Sequence, residues 1–203
     1  AGALKDGDER VRSNAAYALG RVGPLARGAA PALRDLLKDR AEEVRREAAL
    51  ALVEIGPGAG AAVPVLAEAL KHKEGHVRQS AARALGQVGS AARDALPLLS
   101  AALRDPDDRV RLNAALAVWR VGRRADLAVP VLLRALEGKD GELRGLAIHA
   151  LGEVGPDARK AVPALAALVK DKDPLIQYRA SRALKQIDPA AAWFAQQCAD
   201  SDR

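Results

Sequence analysis

The side chains able to do chemistry in this 203-residue sequence recur on a fixed step. Arg12, Arg45, Arg78, Arg111 and Arg144 stand 33 residues apart, and an acidic column precedes them by four residues: Asp8, Glu74, Asp107, Asp140 and Asp173, with Ala41 the exception. Four residues is one helical turn, so an arginine and the carboxylate before it can meet on one helix face. Stacked copies would also bring each arginine to the acidic residue of a neighbour. These columns are expected to form a structural ladder between units. Guanidinium groups spent in that way are not free to hold phosphate.

Other reactive residues are scattered. His72, Glu74 and His76 share one short segment, but a metal site needs a further ligand in fixed geometry, and Lys71 and Lys73 beside them repel a cation. His149 has no acidic neighbour. The single cysteine, Cys198, has no partner for a disulfide and no base close in sequence, which suits a buried structural role. There is no Gly-rich phosphate loop, no Gly-x-Ser-x-Gly nucleophile motif and no converging carboxylate pair. The expectation is a chain without catalytic residues, cofactor or metal.

The elements that carry these residues repeat with them. Gly23, Gly56, Gly89, Gly122 and Gly155 form one column, Pro31, Pro64, Pro97, Pro130 and Pro163 a second, and Leu33, Leu66, Leu99, Leu132 and Leu165 a third. Each unit reads as two helices. In the first, Val11, Ala15, Ala18, Leu19 and Val22 fall at helical spacing. Gly23 and Pro24 end that helix, and Pro31 opens the second, where a missing N–H costs little. The boundaries are 7–39, 40–72, 73–105, 106–138 and 139–171. Residues 1–6 read as the end of a preceding unit, and 172–203 as a C-terminal capping copy in which Trp193 and Phe194 cover the last core edge. Aromatics make up 2% of the chain and Met is absent, so the core must be thin helices packed through Ala, Leu and Val.

The run Val77-Arg78-Gln79-Ser80-Ala81-Ala82-Arg83-Ala84-Leu85-Gly86-Gln87-Val88-Gly89, followed by Ala95-Leu96-Pro97-Leu98-Leu99, resembles HEAT repeats of the short subclass found in phycobiliprotein lyase subunits. The resemblance covers nearly the whole chain. It implies an all-α, right-handed α-solenoid of about six 33-residue helix pairs. It does not imply one activity, because such repeats carry many functions. HEAT-like deoxyhypusine hydroxylases bind iron through His-Glu dipeptides, and none occurs here.

In such stacks the second helices line a concave surface. On it the apolar residues Val65, Leu98, Val131 and Leu133, with Arg134 beside them, suit a protein or peptide partner; the column Val65, Leu98 and Val131 equally suits packing between neighbouring second helices. On the first helix of the fourth unit Leu112, Leu116 and Trp119 are expected to form an apolar stripe on the convex side, read either as a second contact or as local repacking where Trp119 replaces a glycine. A subunit of a modifying enzyme, such as a bilin-lyase-like complex, is the alternative. The formal net charge of +6 raises nucleic acid as a third reading, but the scarcity of aromatics to stack on bases argues against it. No apolar run reaches the ~18 residues of a membrane span. The expectation is a soluble chain, cytoplasmic by default.

Overall fold

The structure, a computed structural model, describes residues 2–56 and 59–201. Among them there are helices and no strands. After a 3-10 turn at Gly2–Lys5, the first helices of the six units are α1 (Glu9–Val22), α3 (Glu42–Ile55), α5 (Gly75–Val88), α7 (Asp108–Gly122), α9 (Gly141–Val154) and α11 (Pro174–Ile187). The second helices are α2 (Ala30–Leu36), α4 (Val63–Ala69), α6 (Leu96–Ala102), α8 (Ala125–Leu136), α10 (Val162–Leu168) and α12 (Pro189–Ser201). The chain is a solenoid of helix pairs, and its largest fully buried side chains include Leu33, Leu66, Leu99, Leu132 and Leu165 from one column.

The second helices α2, α4, α6 and α10 are only seven residues long, each preceded by a 3-10 segment and each with proline in its first turn. The glycine column explains the turn before them. Gly23, Gly56, Gly89 and Gly155 adopt positive φ, which a Cβ would oppose. The fourth unit departs from this. Gly122 stays helical, Arg123 takes the left-handed conformation at φ 54°, and α8 begins almost at once with Pro130 inside it.

The first helices do not stack evenly. α1 packs closely along α3, α5 along α7, and α9 along α11, whereas α3 against α5 and α7 against α9 touch sparsely. One column accounts for the alternation. Gly20, Gly86 and Gly152 lie against Ala51, Ala117 and Ala183 of the next unit; a Cβ on these glycines would stand 3.1, 3.2 and 3.3 Å from the facing alanine Cα. The same column carries Val53 and Trp119 in the second and fourth units, and side chains there hold the next helix away. Trp119 is buried in the same apolar cluster as Ala150.

This corrects the expected convex stripe. Leu112 and Trp119 are buried and Leu116 half-buried, all packed into the core shared by α7 to α11. Trp119 fills the wider gap between α7 and α9, a gap that close glycine–alanine contact shuts at the closely packed joints, and the Arg123 guanidinium lies 4.7 Å from the centre of its ring. That contact offsets part of the cost of a left-handed arginine. The expected aromatic cap is also corrected. Trp193 and Phe194 are both exposed and lie edge to face with centroids 5.0 Å apart; Ala192 instead enters the core. The side chain of Cys198 lies outside the described residues.

Candidate functional site

The arginine column is built differently from the expected ladder. Arg12 donates from Nε and Nη2 to the two oxygens of Asp39, at 2.7 and 2.9 Å. Arg78 binds Asp105 in the same way, at 2.7 and 2.8 Å, and Arg144 binds Asp171. The carboxylate lies 27 residues after the arginine, at the end of the same unit. The acidic column one turn before the arginine has another task. Asp8, Asp107, Asp140 and Asp173 accept backbone N–H groups of the first turns of α1, α7, α9 and α11, so they are N-caps. Glu74 holds the same position without such a bond and stands 3.4 Å from His76.

In four of these arginines a further arm binds backward. Nη1 of Arg12 donates to the carbonyls of Asp6 and Gly7, Arg45 to Asp39 and Arg40, Arg78 to His72 and Lys73, and Arg111 to Asp105 and Pro106. In the first and third units one guanidinium thus ties the preceding inter-unit turn to the end of its own unit. Asp39 and Asp105 sit below the usual carboxylate range, first because of the arginine hydrogen bond. Asp171 does so first through the Asp173 N–H and then through Arg144.

Ion pairs between units come from residues the pattern did not single out, and the shortest of them bridge the widely spaced helices, while a longer one, Arg159–Asp188 at 3.8 Å, crosses the closely packed fifth and sixth units. Arg83 reaches Glu54 across α5 and α3 at 3.1 Å. Arg109 pairs with Glu142, and Arg120 with Glu153, across α7 and α9, at 2.6 and 2.5 Å. Glu153 is held below the usual glutamate range by Arg120.

The closing aspartate is absent from the second and fourth units, where His72 and Gly138 occupy its column. A cleft opens at each of these places. The first, of about 760 Å³, is lined by Leu37, Arg45, Pro64, Val65, His72 and Lys73 among others. The second, of about 130 Å³, is lined by Arg111, Leu112, Val131, Arg134 and Lys139 among others. Three of the residues expected on the partner-binding face, Val65, Val131 and Arg134, therefore border clefts. Leu98 and Leu133 are half-buried against the core. Among the described residues no group of three His, Cys, Asp or Glu could hold a metal ion, and no helix is long and apolar enough to cross a membrane.

Stacked helix pairs with a shared linear core, capped turns and recurring edge clefts define a helical-repeat solenoid. The family model for HEAT repeats matches residues 1–61, 56–120 and 129–203, so the chain belongs to the HEAT-repeat family. No curated protein matches it. Among solved structures it is similar to an engineered protein at 26% identity, covering 93% of this chain and 94% of that one, with a TM-score of 0.66. A designed armadillo repeat protein in complex with the peptide (KR)4 matches at 20% identity over 92% and 97% of the two chains, TM-score 0.67. The complex of CpcE and CpcF of phycocyanin lyase from Nostoc sp. PCC7120 matches at 24% identity over 98% and 92%, TM-score 0.55.

Proposed function

We infer that the chain is a non-catalytic protein-interaction scaffold that holds an extended or helical segment of a protein partner along its second-helix face. One observation carries this reading. Val65, Leu98 and Val131 form one column of half-buried apolar side chains along the second helices, with half-buried Leu133 on the other flank of buried Leu132, and two clefts open beside this column. Membership of the HEAT-repeat family supports it, and so does the peptide bound by a designed repeat protein of similar fold. The likeness to the phycocyanin lyase complex supports the fold alone. The test is capture of partners by the intact chain compared with Val65→Glu and Leu133→Glu variants whose helical circular dichroism matches wild type. Loss of a captured partner from either variant supports the reading. Retention of every partner by both overturns it.

A further inference from the structure

Resting on the scaffold reading, we propose that the cleft at Arg45 is a carboxylate-binding subsite, which takes one aspartate or glutamate side chain of an extended partner peptide flanked by apolar residues.

The argument starts from the units in which the site is filled from within. Arg12 and Arg78 show what this column of arginines binds: a carboxylate gripped by Nε and Nη2 at 2.7 to 2.9 Å, while Nη1 is anchored on the preceding turn. Arg45 keeps the anchor, with Nη1 on the carbonyls of Asp39 and Arg40 at 2.7 and 3.0 Å. Its outward edge has no carboxylate within ion-pair distance among the described residues. His72 has replaced the aspartate and does only half of that residue's work. Its Nδ1 accepts the Glu74 N–H at 3.1 Å, as Asp105 accepts that of Asp107, but an imidazole offers no second oxygen to the arginine. A guanidinium held in a fixed pose with its bidentate edge vacant matches the planar geometry of a carboxylate.

The surroundings fit the same occupant. Leu37, Pro64, Val65 and Ala69 supply apolar walls. Of the two carboxylates at the cleft, Glu68 is paired with Lys71 at 3.0 Å, and Glu42 Oε1 stands 3.4 Å from His72 Nε2 and makes no contact with Arg45 within ion-pair distance. Lys73, also on the rim, has no carboxylate partner among the described residues. The matching place in the fourth unit shows what a closed version looks like. There Arg111 is paired with Asp108, Leu112 fills the position of Arg46, and the cleft shrinks to about 130 Å³.

The test uses the intact chain and two synthetic peptides, acetyl-Ala-Leu-Asp-Leu-Ala-amide and its Asn counterpart, followed by nitrogen-15 NMR of the arginine Nε–H groups. The Asp peptide is expected to shift the Arg45 resonance and to bind at least about tenfold more tightly than the Asn peptide. His72→Asp restores the aspartate column from within. The first unit shows that a glutamate at the Glu42 position, Glu9, is compatible with a closed pair. This variant should raise the unfolding midpoint by about 3 °C and abolish Asp-peptide binding. His72→Asn, which can still accept the Glu74 N–H, should bind as wild type. The proposal is overturned if the two peptides bind alike, if His72→Asp binds the Asp peptide as wild type does, or if millimolar Asp peptide leaves Arg45 unmoved. It is also overturned if inorganic phosphate or single-stranded RNA takes the site in preference to the peptide. Equal binding of both peptides that Val65→Glu abolishes would sink this subsite and leave the scaffold reading standing.

Discussion

Replacing Asp105 with asparagine tests whether the arginine staples hold the units together. The variant keeps an oxygen for the Asp107 N–H, which Asp105 now accepts at 2.9 Å, but removes the negative charge that faces Arg78. Two charge-assisted hydrogen bonds are weakened. Each is worth about 1.5–3 kcal/mol in isolation, and two bonds to one guanidinium do not add. The side chains are 14% and 8% exposed, so screening by water takes only a part. A net loss of about 2 kcal/mol follows, or an unfolding midpoint about 4–8 °C lower for a chain of this length. The pH dependence has a defined sign. Asp105 lies below the ordinary aspartate value because of Arg78, so its contribution is present above about pH 4 and fades as pH falls through its folded-state value. Urea unfolding should therefore separate wild type from variant at pH 7 and show a smaller gap at pH 3, closing further as pH falls. Solenoids need not unfold in one step, so hydrogen exchange should place the loss in the third unit and its neighbours. A difference below about 0.5 kcal/mol at pH 7, or a gap of the same size at both pH values, would refute the staple as a stabilising device.

Two further substitutions probe the uneven stacking. Gly86→Val would set a branched side chain where even a Cβ stands 3.2 Å from the Ala117 backbone; forcing α5 from α7 should cost about 2 kcal/mol, seen as a lower urea midpoint, and an unchanged midpoint would contradict the close-packing account. Trp119→Ala should cost about 3–5 kcal/mol by leaving a cavity in the core of α7 to α11; a surface tryptophan would cost far less, so calorimetry of this variant checks the burial directly.

Much of the architecture was legible because turn chemistry and core packing demand specific residues at fixed intervals. Only glycine suits the positive φ at Gly23 or Gly89, and only a large apolar side chain fills the centre of each helix pair at Leu33 or Leu99. The fine geometry was less legible. Asp8 and Arg12 stand one turn apart, and that spacing alone cannot tell an ion pair from an N-cap beside an arginine whose partner arrives 27 residues later. The aspartate column at Asp39, Asp105 and Asp171 was visible, but its meaning depends on how the last turn of a unit folds back over its first helix. Leu112 and Trp119 misled for a related reason. Their neighbours in the column are small or polar, so they looked exposed, yet the missing glycine widens the helix spacing and makes the room that they occupy. The seven-residue second helices escaped notice because alanine-rich 3-10 segments carry the same composition as the helices they precede.

The two irregularities share one period. Close glycine–alanine contacts and closed arginine–aspartate staples both belong to the first, third and fifth units, while side chains in the glycine column and open or rebuilt staples belong to the second and fourth. The working unit of the molecule is therefore a pair of repeats: a tightly packed joint within the pair, and between pairs a wider joint crossed by Arg83–Glu54, Arg109–Glu142 and Arg120–Glu153. Surface ion pairs weaken with salt, whereas glycine–alanine contacts do not. Any bending of the stack should then concentrate at the wide joints. The clefts, too, recur with the pair rather than with the single unit. A partner that used the surviving cleft at Arg45 would engage the chain in one register, because the equivalent positions elsewhere are filled by Asp39, Asp105 and Asp171 or closed around Arg111. The excess of basic residues therefore overstates the free positive charge along this edge: most of the arginine column is consumed in holding turns, and Arg45 is the member left with a vacant edge among the described residues.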